Sequence, residues 1–502
     1  MKRKSFLASG LVAIGMVLSV LTVGYAGEGK TLTIAMATNL STVDVQLQGK
    51  MDEMAILINL FDPLIFRKND GSLEPGLAVS WKAVNDKTWQ FKLREGVTFH
   101  NGEPFNAAAA KFSLDRILDP KTKSPITELR NVEAVQVVDP STINIITKGI
   151  DPMLPDKLTL FAGCMVPAKY IQEKGEEEFA RKPVGTGPFT FVEWVKDDHV
   201  TLQANKQYWR GPVKLDRVIF RSVPDDAARV ATLLSGQVDI IAEFPPSAAA
   251  RVKDTKGMRV DAVTGLRLHY ISLAGEEGPL ANVKFRQAIS HAIDTKTLID
   301  KILYGYAKPT AAPQAEGVLA YDTSIRPYAF DLAKAKQLLK ESGYPEGTAV
   351  DFLSQPGITQ DITTAVSGML EKAGIKVNQQ VLPRNDFLAK YVAGQLKGLW
   401  ANTYTIWQGS PEVLIDTFFK SGRPRAKYTS KQMDTLINTV QGTTDQAVRK
   451  DALQKILKIL NADAPWAYLG VQDQMYGVNQ RVKWTPPRNG ITQVWDAEIA
   501  GQ

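Results

Sequence analysis

Beyond residue 200 this 502-residue chain alternates short apolar strands with capped amphipathic helices, and that alternation leaves few folds open. In VPDDAARVATLLSGQVDII, Asp225 or Asp226 caps a helix, Gly236 stops it, and 238–241 is a strand. FRQAISHAIDTKTLIDKILYG carries Ala288, Ile289, Ala292, Ile293, Leu298, Ile299 and Ile302 on a helical stripe. DLAKAKQLLKESGYPEG reads as a helix capped by Asp331 and ended by Gly343. ITQDITTAVSGMLEKAGIKVNQQVL reads as a helix, a stop at Gly374 and a strand. A helix at about 445–462 precedes final strands around 466–471. Nearer the N-terminus a strand is expected at 32–36. Trp89, Phe91 and Leu93 alternate with Gln90, Lys92 and Arg94 as a half-buried strand. Asn101-Gly102 is a tight-turn signal, AAAAKFSLDRIL a helix, and 134–138 and 142–147 two more strands. The fold class is α/β, without internal repeats.

One motif points elsewhere. GYAGEGKT, residues 24–31, fits the phosphate-loop pattern G-x-x-x-x-G-K-[ST]. A working phosphate loop joins a buried strand to a helix, so that backbone N–H groups converge on the phosphates. Here the preceding segment has Lys2, Arg3 and Lys4, then an apolar run from Phe6 to about Val23, and the segment after the match reads as a strand. Gly24 and Ala26 sit at the −3 and −1 positions of a cut after Ala26. This is the anatomy of a secretory signal peptide, 1–26, and the phosphate-loop match is accidental. A retained anchor is the competing reading, because the run approaches spanning length; the small-residue exit favours cleavage. No cysteine follows the cut, so the chain is not read as a lipoprotein.

Export changes what the composition means. Cys164 is the only cysteine, so no internal disulfide forms and stability rests on the core, which suits a bacterial periplasm. Removing the first 26 residues lowers the net charge from +7 to +4. Both signs are interleaved, which gives nucleic-acid binding little support. The catalytic inventory is thin. His100, His199, His269 and His291 are scattered without an H-E-x-x-H pair, and His100 and His291 read as structural. No G-x-S-x-G elbow appears, and GTGPF has Pro188 where a phosphate loop needs an N–H. Asp197-Asp198 and Asp225-Asp226 are better explained as turns and a cap. No cofactor or metal is called for, and an enzyme is unsupported.

Several segments, in this order, resemble the family 5 extracellular solute-binding proteins of ABC importers, the oligopeptide, dipeptide and nickel type. They are LFDPLIFRKNDGSLEPGLAVSWKAVNDKTWQFKLREGVTFHNGEPF (60–105), VGTGPFTFVEW (184–194), ANKQYWRGPVKLDRVIF (204–220), LLSGQVDI (233–240), VKFRQAISHAIDTKTLIDKILYG (283–305) and AKQLLKESGYPEG (335–347). The resemblance implies a large, type II-like periplasmic-binding-protein fold of two lobes with the ligand cleft between them. Lobe I would comprise 27–64, 186–266 and 476–502, with an extra subdomain inserted at 65–185, and lobe II 267–475. It also implies partners, a membrane permease and its ATPase subunits, and a monomer that works by closing over its ligand.

The same resemblance guides the choice of ligand contacts. Thr38-Asn39-Leu40 occupies the place where lobe I meets ligand, with Asn39 as the contact. Tyr270, in GLRLHYISLA, faces either the cleft or the strand's own packing, and Gln355 precedes a lobe II helix. Trp407, in LWANTYTIWQGSPE, matches a family tryptophan beside the ligand, with Tyr404 and Gln408 as neighbours. Peptide-binding members place an aspartate shortly after that tryptophan, against the peptide amine. Here Gln408-Gly409-Ser410-Pro411 offers no acid before Glu412. Either Glu412 substitutes, or the ligand lacks a free α-amine and is an opine, modified amino acid, glycan or metal chelate. A secreted hydrolase and a sensing subunit are the alternatives from other classes.

Overall fold

Two long antiparallel strands, Met258–Ser272 and Trp466–Asn479, tie the molecule together. The computed structural model describes residues 29–500; the 1–26 signal-peptide reading and residues 24–28 of the GYAGEGKT match lie outside them. Thr31, the last residue of that match, opens the strand Thr31–Met36, so a strand and not a helix follows it.

The long pair is the middle of one eleven-stranded mixed sheet. On one side, Trp466–Asn479 pairs with Ile240–Ile241, followed by Thr31–Met36, Arg217–Ser222, His199–Ala204 and Phe189–Val195. On the other, Met258–Ser272 pairs with Leu399–Thr405, followed by Ala349–Ser354 and Lys376–Val381. Two lobes therefore share a backbone ladder but not a core. Leu32, Ile34, Phe61, Phe91, Phe189 and Tyr476 belong to one apolar cluster. Tyr270, Trp400, Phe418 and Trp466 belong to another, and Phe285, Phe352 and Val366 to a third. Inserted in the first lobe is a four-stranded antiparallel sheet of Ala78–Asn85, Thr88–Leu93, Thr142–Thr147 and Val132–Asp139, in that order, beside the helix Ala107–Leu118.

Within each lobe one strand lies between two parallel neighbours. Thr31–Met36 runs parallel to both Arg217–Ser222 and Ile240–Ile241, and Ala349–Ser354 to both Lys376–Val381 and Leu399–Thr405. In such sheets the crevice lies beyond the carboxyl ends of the strands, where the order reverses. Those ends carry Ala37 and Thr38, Glu243, Gln355 and Trp407.

Where the chain passes between lobes the ladder is irregular. Pairing register shifts between Val263 and Arg267, and Gly265 sits in the gap. A Cβ there would stand 2.3 Å from the Gln472 carbonyl oxygen, so only glycine lets the two strands cross this closely.

Three local readings are corrected. The apolar stripe from 285 to 305 is two helices, Val283–Ala292 and Thr295–Lys301, because the Asp294 carboxylate accepts from the Thr297 N–H and starts a new helix. The strand expected at 238–241 is only Ile240–Ile241. The end strands at 466–471 are the first half of Trp466–Asn479.

The segments that carried the family resemblance meet at a buried carboxylate. Asp62, 1% exposed, accepts hydrogen bonds from the Thr186 hydroxyl at 2.9 Å, the Tyr208 hydroxyl at 2.9 Å and the Trp209 indole N–H at 2.7 Å. Burial pushes its pKa up, and the three donors oppose that shift. Gly185 and Gly187 press on Leu60; a Cβ on either would lie 2.0 or 2.6 Å from that residue's carbonyl group. GTGPF is thus a packing loop. His100 fastens it, accepting at Nδ1 from the Gly185 N–H and donating from Nε2 to the Gly187 carbonyl.

Burial also holds His269, hydrogen-bonded through Nε2 to Gln472 Oε1 at 2.9 Å, neutral, with its pKa lowered to about 4. A folded-state pKa below the unfolded value means the unfolded chain binds more protons between the two. Stability is then expected to fall as pH drops from about 6.5 to 4, by up to roughly 1.4 kcal/mol per unit from this imidazole. Urea midpoints at pH 7 and pH 4.5 should diverge less in His269→Gln than in the parent chain. Equal divergence would remove His269 as the cause.

Candidate functional site

Trp407 follows the strand Leu399–Thr405 by two residues, and its ring leaves the second lobe to pack, half-buried, against the first-lobe core. Around it open two cavities. One, of about 250 Å³, is lined by Met51, Ile126, Leu160 and Phe161 from the first lobe and by Tyr404, Trp407 and Gln408 from the second. The other, of about 440 Å³, lies at the strand crossing and is lined by Thr38, Glu243, Phe244, Arg267, Thr405 and Trp407 among others. A third, of about 490 Å³, continues past Gly409 and Ser410 to Arg67, Asp156 and Arg449. The result is a groove between the lobes of mixed polarity, with Glu128, Asp156 and Lys157 beside the apolar residues of the first cavity, Glu243 and Arg267 in the second, and Trp407 between them. Concave, mixed-polarity space of this size is what a small solute needs.

Direct contacts close the groove on its outer side. The Cβ that Gly71 lacks would lie 1.8 Å from the Gly317 carbonyl oxygen, and the one that Gly409 lacks 2.2 Å from Arg67 Nη1. Arg449, 3% exposed, bonds Glu412 while also reaching the Pro152 carbonyl at 3.4 Å and the Met153 sulfur at 3.0 Å.

Of the residues singled out from sequence, Trp407, Tyr404 and Gln408 come together on one cavity wall. Tyr404 also packs edge-on against Phe418, and burial raises its phenol pKa to about 12, so it presents a neutral hydroxyl. The other four are placed elsewhere. Asn39 turns away to the Ser222 hydroxyl; its neighbour Thr38, bonded to Asp52, lines the cavity instead. Tyr270 has no exposed surface, stacked on Trp466 at 3.7 Å and edge-on to Trp400. Strand alternation could not say which sheet face was covered, and here both are. Gln355 stands at a strand's carboxyl end but lines none of the three cavities. Glu412 is 7% exposed, accepts from the Ser410 hydroxyl, and its charge is taken up by Arg449. It is not free to meet a ligand amine.

Sequence reasoning missed Glu243 and Arg267. A usable signal existed for the first: an acid two residues past a buried strand end is poorly explained as core. Arg267 sits in an apolar run, GLRLHYISLA, and only the lobe crossing gives it a cavity to enter.

Among the described residues no helix is long and apolar enough to cross a membrane, and no cluster of three His, Cys, Asp or Glu side chains is arranged to hold a metal ion. Comparison with known proteins gives a consistent answer. The chain is 28% identical over 501 residues to the glutathione-binding protein GsiB of Escherichia coli K12, covering 96% of this chain and 97% of that one. It is 30% identical over 438 residues to heme-binding protein A of Haemophilus influenzae, covering 80% and 79%. Its fold superposes on the ABC transporter-associated periplasmic binding protein DppA of Helicobacter pylori, solved with the peptide STSA, with a TM-score of 0.76, 25% identity, and coverage of 94% and 98%. The model for "bacterial extracellular solute-binding proteins, family 5 Middle" matches residues 72–425. With that match over most of its length, the chain belongs to the family 5 extracellular solute-binding proteins.

Proposed function

We propose that this chain is the periplasmic capture subunit of an ABC importer, closing its lobes over a peptide or related small solute and handing it to a membrane permease. The observation that carries this reading is Trp407, borne by one lobe and packed on the other's core between two cavities. Contacts from both lobes exist only in the closed form, so a ligand that makes them shifts the population toward closure. Capture by closure needs no covalent step, and energy would come from the permease's ATPase subunits. Cleavage near Ala26 would release a soluble, monomeric chain into the periplasm, where the partner waits.

Peptide as cargo is supported by the names of the relatives, glutathione-binding and peptide-bound among them. The pairing of Glu412 with Arg449 favours a second reading, a solute without a free amine such as an opine, glycan or chelate, unless another acid serves. A thermal-shift screen of ligand-stripped mature protein against di- to pentapeptides, glutathione, opines, sugars and metal chelates separates these. Ligand at about 100 times its dissociation constant adds about 2.7 kcal/mol to stability. The hit should bind Trp407→Ala about tenfold more weakly while that variant keeps its ligand-free melting temperature within a few degrees. A variant that binds as the parent does would remove Trp407 from the site.

A further inference from the structure

The cavity at the strand crossing contains an arginine without a partner. Arg267, on Met258–Ser272 just past the register shift, lines that cavity; among the described residues its guanidinium makes no hydrogen bond and has no carboxylate oxygen within 4.0 Å. Its side chain is exposed, yet enough protein surrounds the guanidinium that desolvation draws its pKa below the ordinary arginine value, against the attraction of Glu243. The other two guanidiniums here are committed. Arg229 donates to the carbonyls of Val223, Pro224 and Glu243 and to Asp226, and Arg488 to those of Asn69 and Gly265.

Facing Arg267 from the first lobe is Glu243. One carboxylate oxygen accepts from the Ala37 N–H at 2.7 Å, and among the described residues no Lys, Arg or His nitrogen lies within 4.0 Å of the group. Its backbone holds φ at 52°, a left-handed conformation that costs a non-glycine residue free energy and that the surroundings must enforce. Of the remaining acids, Asp52 accepts from Thr38, Asp226 pairs with Arg229, and Asp473 has one oxygen buried without a partner.

We infer that Arg267 and Glu243 form a dipolar subsite, Arg267 receiving a carboxylate and Glu243 an ammonium of the same ligand, so that the cargo is a solute with both groups free. This rests on the solute-capture reading above and narrows it. Unlike charges that line one cavity beyond ion-pair reach of each other offer one ligand two charge-assisted contacts at once. Because Glu243 stands on the first lobe and Arg267 on the strand where the chain crosses to the second, a zwitterion bridging them favours closure, and a ligand lacking either charge forfeits one of the two contacts. Glu243 thereby provides the acid that the loop after Trp407 lacks.

The test uses equilibrium dialysis of the mature chain against one mixed-sequence tripeptide pool in three forms, free, N-acetylated and C-amidated, with retained peptide quantified by mass spectrometry. The parent should retain the free pool at least tenfold better than either blocked pool. Arg267→Met should lose discrimination against the amide alone, and Glu243→Gln, which still accepts from Ala37, against the acetylated form alone. Equal retention of all three pools by the parent would overturn the subsite while leaving peptide capture standing. The subsite is overturned as well if Arg267→Met and Glu243→Gln discriminate as the parent does, since neither charge then reads a terminus of the ligand. Retention of no pool would overturn the peptide reading and the subsite together.

Discussion

Asp62→Ala is expected to lower the unfolding free energy by about 4 kcal/mol or more. The substitution would strand two buried donors, the hydroxyls of Thr186 and Tyr208, and one part-buried donor, the indole N–H of Trp209, around a cavity with no acceptor. Charge-assisted hydrogen bonds contribute about 1.5–3 kcal/mol each, and the desolvation cost that removal would relieve offsets only part of that sum. Asp62→Asn, of the same size, should cost less, because its amide oxygen still accepts while its NH₂ faces the remaining donors. Urea denaturation of ligand-free protein, followed by tryptophan fluorescence, reads both. A loss below about 1 kcal/mol in Asp62→Ala would mean that the blocks meeting here are held by apolar packing alone. The carboxylate lies outside the groove, so the surviving folded fraction of Asp62→Ala should bind solute with parental affinity.

Gly71→Ala is expected to weaken solute binding by about 10- to 100-fold with little change in stability. Gly71 sits in the turn between Ile65–Arg67 and Leu73–Pro75, and the added Cβ would lie 1.8 Å from the carbonyl oxygen of Gly317 in the opposite lobe. That overlap involves backbone on both sides, so a side-chain rotation cannot relieve it; the lobes would have to part. Gly71 also has φ at 87°, which strains any Cβ-bearing residue by about 1 kcal/mol. Gly96→Ala is the matched control, with φ at 77° and nothing within 4 Å of the new methyl group. It should show the same small loss in melting temperature and unchanged affinity. In small-angle scattering, saturating solute should compact the parent and the control but not Gly71→Ala. Compaction of all three proteins would place the lobe contact at Gly71 outside the closure step.

The two substitutions act on different layers of the molecule, and sequence reached those layers unequally. Helix starts and stops were legible wherever a single residue supplies the whole physical cause. Asn106, Asp225, Asp331 and Asp445 each accept from a backbone N–H in the first turn of their helices, and Gly236, Gly343 and Gly374 hold the positive φ just past the helices Asp226–Leu234, Leu332–Glu341 and Ile358–Lys372. The break at Ile293–Asp294 was missed although Asp294 follows the same rule, because an unbroken apolar stripe outweighed one cap. Trp407, Tyr404 and Gln408 were found together because they are neighbours in sequence at one strand end.

What the sequence by itself determined is the class of the fold, the caps and turns that delimit its elements, and the blocks that mark the family, since each depends on residues within a few positions of one another. Only the tertiary structure decided which of those blocks are structural and which line the groove. Asp62 meets Thr186 and Tyr208 across more than a hundred residues, Glu412 is neutralised by Arg449, and Tyr270 is sealed beneath Trp466. Arg267 and Glu243 face one cavity because two strands cross at Gly265 with their register shifted. Burial and charge compensation are properties of what surrounds a side chain in space, and local sequence does not encode which distant residue will arrive there.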